Sequence, residues 1–128
     1  MNTRAHQYRP RSPPLELRIE KGHFLLGGGF ERSGGPRPFS TDIAPVITGR
    51  AVDIVLGITF SSDPAKGRVD VWLDGAQKVT GYRPPGGTLY PGRSSYWKIG
   101  IYRDTANTST ATADLTAAEL GESYHSVR

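Results

Sequence analysis

The sequence has no cysteine and a single methionine among its 128 residues. Without cysteine there is no disulfide framework, no thiolate metal site and no cysteine nucleophile. That absence fits a reducing or an oxidising compartment equally. Long apolar runs are missing too, and nothing approaches the roughly 20 residues of a membrane span. The opening MNTRAHQYRPR carries Arg4, Arg9 and Arg11 with no apolar stretch behind them, so it does not read as a secretory signal. The chain is expected to be soluble, with no signal peptide and no membrane partner. Metal and cofactor signatures are also lacking. His6, His23 and His125 lie far apart, and Asp63, Asp70 and Asp74 lack the glycine and bidentate glutamate of a calcium loop. LLGGGFERSGG is not followed by the GK[ST] of a phosphate loop, and there is no GxSxG elbow. No metal and no cofactor are expected.

Glycine and proline are plentiful, at 16 and 10, while apolar residues make up only 36%. That mixture suits a β protein rich in turns. In PPLELRIE, Leu15, Leu17 and Ile19 alternate with charged residues, which predicts a half-buried strand. Lys21-Gly22 predicts a hairpin turn into HFLLGG, and Asp74-Gly75 another between RVDVWLD and AQKVT. VDIVLGITFS places Val52, Ile54, Leu56, Ile58 and Phe60 on one face, and RVDVWLD does the same for Val69, Val71 and Leu73. GGGFERSGGPRPFS and GYRPPGGTLYPGRSS read as loops by composition, while ATADL and AAEL suggest a short closing strand. The expectation is an all-β fold, an antiparallel β-sandwich. Residues 1–12 form an irregular basic N-terminal segment ahead of a domain over 13–128.

The formal net charge of +4 and a pI near 9.6 favour acidic partners: nucleic acid, anionic lipid or uronic-acid polysaccharide. A single-strand nucleic-acid binder interleaves aromatics with basic residues on one sheet face. Only Tyr96, Lys98 and Tyr102, with Arg103 beside them, resemble that, and no RNP-like or OB-like pattern accompanies them. No nucleic-acid partner is expected. The stretch SYWKIGIYRD, read as a strand, turns Trp97, Ile99 and Ile101 toward a core and Tyr96, Lys98, Gly100 and Tyr102 to the other face. Two phenols and an amine around a glycine describe a site, or an ordinary sheet surface, since strands favour tyrosine.

Several pieces of the chain resemble the heparin lyase I-like and alginate lyase-like polysaccharide lyases, which share a concanavalin A-like β-jelly roll. They are SPPLELRIEKGHFLLGG, DIVLGITFSSDPAKGRVDVWLDG, TLYPG and YWKIGIYRD, the last similar to the family's Y-x-K-x-G-x-Y strand. The resemblance implies β-elimination on an acidic uronate polysaccharide in an extracellular setting. It implies Tyr102 as the catalytic tyrosine and Lys98 as the lysine that steadies the anionic substrate. Tyr96 would line the same cleft, and Gly100 would leave room for a sugar ring. Tyr90 and Arg93 would rim the cleft, and Arg18, beside Glu16, would reach the substrate groove. Trp72, opposite the core set of its strand, is expected to pack rather than to stack on sugar.

The chain also departs from the family. Its length is about half that of a complete domain of this kind, Ala51 stands where a tryptophan is usual, and His6-Gln7 does not align with the family's glutamine- and histidine-bearing strand. The resemblance therefore implies the C-terminal part of a lyase domain and an incomplete jelly roll. A non-catalytic, lectin-like carbohydrate-binding module and an inactive lyase fragment are the alternatives.

Overall fold

The computed structural model describes residues 13–32, 35–97, 112 and 114–127. The chain divides into two units, Met1–Ser94 and Ser95–Arg128. In the first, β1 (Glu16–Glu20), β2 (His23–Arg32) and β3 (Gly35–Pro45) form one antiparallel sheet in that order. A second antiparallel sheet holds β4 (Ile54–Thr59), β5 (Arg68–Leu73) and β6 (Ala76–Tyr82), also in chain order. The described residues are all-β and contain no helix, as expected. Six strands are described, fewer than the eight of a full jelly roll.

The turns follow the sequence signals. Lys21-Gly22 joins β1 to β2 with φ of 51° and 78°, and Asp74-Gly75 joins β5 to β6 with φ of 49° and 81°. Two successive left-handed residues match the right-handed twist of the flanking strands, which is why such dipeptides serve two-residue hairpins. Val69, Val71 and Leu73 of β5 point inward and meet Phe24 and Leu26 of β2, so one core joins the two sheets. Leu26, Val69 and Val71 are completely buried. Leu15, Val52, Leu56, Ile58, Val79 and Tyr82 pack around this cluster.

Four expectations need correction. GGGFERSGGPRPFS is no loop: its residues build most of β2 and β3, and Gly27–Gly29 are buried within β2. These glycines serve close approach. A Cβ on Gly28, whose φ is +152°, would come within 2.5 Å of the Pro14 carbonyl oxygen, and Gly29 N–H donates to the Pro13 carbonyl at 2.9 Å. Ile19 and Phe60 were expected on core faces and are 62% and 58% exposed. Ile19 is the last residue but one of β1, next to its turn, and Phe60 lies just past the end of β4, so both sit at strand ends, away from the buried cluster. In the second unit, Asp114–Leu120 forms no strand, and Leu115 and Leu120 are exposed. Ser95–Trp97 also has no strand structure, with Trp97 55% exposed instead of facing a core. A strand persists only where a neighbour completes its hydrogen-bond ladder, and neither described sheet includes Ser95–Trp97 or Asp114–Leu120.

Candidate functional site

The segment after β6 is built to be held still. Thr88 is 1% exposed, and its hydroxyl donates to the Thr59 carbonyl at 2.7 Å while accepting from Ser61 N–H at 2.9 Å. Its own N–H donates to the Ser61 carbonyl at 2.8 Å. A buried hydroxyl survives only when its hydrogen bonds are made, so this triple contact fastens the segment to the exit of β4. Glycines allow the approach: a Cβ on Gly87 would lie 2.4 Å from the Ser61 carbonyl oxygen, and one on Gly67 would lie 2.9 Å from Thr88 N. Six residues beyond Thr88 the first unit ends, and the SYWKIGIYRD segment begins.

Within this frame Tyr90 is buried, at 8% exposure. It accepts the Arg93 N–H at 3.2 Å, which closes a turn with Gly92 left-handed at φ +69°. Pro91, Gly92, Arg93 and Ser94 are exposed and line an open hollow of about 550 Å³. Tyr90 and Arg93 are thus brought into one turn, with the phenol inside and the guanidinium side out.

Arg18 lies elsewhere, on β1. Its Nη1 sits 2.7 Å from Glu16 and its Nε 3.1 Å from Glu20, and the side chain covers Gly27. The Glu16 hydrogen bond, with Glu20 adding to it against partial burial, holds the guanidinium above its ordinary value. Trp72 lies across Gly57 of the neighbouring strand, 3.3 Å from where a Cβ would stand, and is half-buried. It packs, as expected.

Tyr96 is 79% exposed in the second unit. Lys98, Gly100 and Tyr102 lie outside the described residues. Among the described residues no cluster of histidine and carboxylate could hold a metal ion. Sequence reading passed over Thr88 because a lone threonine in a proline-rich loop carries no signal. The adjacent Gly86-Gly87 pair was the available hint of a close approach.

A family model described as polysaccharide lyase matches residues 2–116, a span that contains Arg18, Tyr90, Arg93, Tyr96, Lys98 and Tyr102. No curated protein and no solved structure matches the chain.

Proposed function

Because the chain belongs to the polysaccharide lyase family, we propose that it cleaves a uronic-acid-containing polysaccharide by β-elimination, in the manner of the heparin lyase I-like and alginate lyase-like enzymes. The observation that carries this reading is the family match itself, which runs through the YWKIGIYRD segment. The basic charge of the chain, +4, suits an anionic polymer.

In this reading a base removes the C5 proton, the electron pair forms the C4=C5 double bond, and the C4–O glycosidic bond breaks. Negative charge builds on the uronate carboxylate as the proton leaves, so a cation must be waiting there. Lys98 takes that role, and Tyr102 donates the proton that the departing oxygen needs. A phenol titrates near 10 and is protonated at neutral pH, so it is ready as an acid. Acting as the base as well would require nearby positive charge, which Lys98 supplies by sequence proximity. Tyr96 contributes a ring for the sugar to lie against. A polymeric substrate places the reaction outside the cell.

The test is ultraviolet absorbance from the new C4=C5 bond, followed on a panel of glucuronan, alginate and heparin-like polymers. Wild type should generate absorbance on one of them, and Tyr102→Phe should lower the rate by about 10²–10⁴-fold, the range of a lost proton donor. A folded wild type that produces none on any polymer would overturn the reading. Binding retained in that case would point to the lectin-like alternative.

A further inference from the structure

We propose that the Tyr90–Arg93 turn is a carboxylate-reading subsite, with Arg93 as the cation that meets a uronate of the substrate and Thr88 as the residue that positions it. The inference rests on the acidic-polysaccharide reading above but concerns binding, not bond cleavage.

The arginines of the first sheet pair and its neighbour are largely committed. Arg18 holds Glu16 and Glu20, Arg50 holds Asp74, and Arg68 holds Asp70. Arg83 donates to the Ala65 carbonyl at 2.6 Å, while Arg93, like Arg37 of β3, makes no ion pair among the described residues; Arg93 stands exposed beside a hollow lined also by Pro91, Gly92 and Ser94. A guanidinium offers a carboxylate two parallel N–H donors, so it selects acidic over neutral sugars. A long side chain on a loose loop would lose much of that gain to ordering. Here the turn is closed by the Arg93 N–H bond to the Tyr90 carbonyl at 3.2 Å and anchored on its leading side by Thr88, two residues before Tyr90, which is fastened to Thr59 and Ser61 by contacts of 2.7–2.9 Å. Tyr90, buried between these points, keeps the turn from lifting. The hydroxyl of Thr88 therefore acts on the substrate through Arg93, without touching it.

Calorimetric titration of the full chain with oligoglucuronate and oligomannuronate, beside a neutral cello-oligosaccharide of equal length, tests this without requiring turnover. Wild type should prefer an acidic oligomer. Arg93→Ala should weaken acidic binding by about tenfold, as for one lost charge-assisted hydrogen bond, and leave neutral binding unchanged. Thr88→Val should reduce the acidic preference in the same direction, and Thr88→Ser, which keeps the hydroxyl, should restore it. Thr88→Val combined with Arg93→Ala should bind no more weakly than Arg93→Ala alone, because both act through one contact. Should Thr88→Val fail to fold, Gly92→Ala strains the turn at φ +69° with nothing within 4 Å of the new Cβ, and the same acid-specific loss is expected. The inference is overturned if wild type shows no acidic preference, if Arg93→Ala changes nothing, or if the Thr88 and Gly92 variants lose acidic and neutral binding together. Acid-specific binding without lyase activity would uphold the subsite and remove the proposed reaction.

Discussion

Val71 of β5 sits where the two sheets meet, in one cluster with Phe24 and Leu26 of β2. Its place in the Val69, Val71, Leu73 alternation marked it as core, and it is completely buried between the sheets. Truncation there leaves a cavity that neighbours close only in part. Val71→Ala should cost about 2–3 kcal/mol, read from the shift of a urea midpoint at constant slope. Tyr82 is subtler. Its ring packs on the core and stacks on Phe39 with centroids 6.2 Å apart, and burial pushes its phenol above the ordinary value. The fold thus prefers the neutral phenol. The stability this confers is whole at pH values below the unfolded value, near 10, and is lost as pH rises through the higher folded value. Midpoints measured from about pH 9 to about pH 11 should fall less steeply for Tyr82→Phe than for wild type. Thr88 was illegible by contrast, because its importance lies in carbonyls 27 and 29 positions away.

At the scale of elements, short-range chemistry was legible and long-range packing was not. The two hairpin turns were readable because Lys21-Gly22 and Asp74-Gly75 satisfy a local backbone requirement. Glycine in GGGFERSGG misled for the opposite reason: composition cannot tell a glycine that frees a loop from one that lets strands and loops touch. The two uses predict different costs. Gly75→Ala asks alanine to adopt φ +81° in open space and should cost about 1 kcal/mol. Gly28→Ala must also move the Pro14 carbonyl, 2.5 Å from the new carbon, and should cost more, about 2–3 kcal/mol in total. Parallel denaturant titrations of the two variants rank them directly; equal losses would argue against close packing at Gly28.

For the molecule as a whole, alternation sufficed to anticipate an all-β fold of antiparallel sheets around a shared core. Periodicity of 2 fixes which residues face inward, and the pairing of the sheets follows from burying those faces. The site was legible differently. Phenol, amine and glycine at alternate positions of YWKIGIY suggested chemistry, but a pattern gives no distances, and Lys98, Gly100 and Tyr102 lie beyond the described residues. Charge placement adds what the pattern lacked: Arg18 is neutralised by its glutamates, whereas Arg93 stands out on a fastened turn.

The central claim is elimination rather than hydrolysis, and the source of oxygen in the product separates them. The polymer on which the chain is active should be digested in water enriched in heavy oxygen, and the oligosaccharides examined by mass spectrometry and ultraviolet absorbance. Elimination uses no water, so the account predicts an unsaturated, absorbing end and no heavy oxygen incorporated during cleavage. Saturated products that carry the heavy label at the cleaved bond would contradict it.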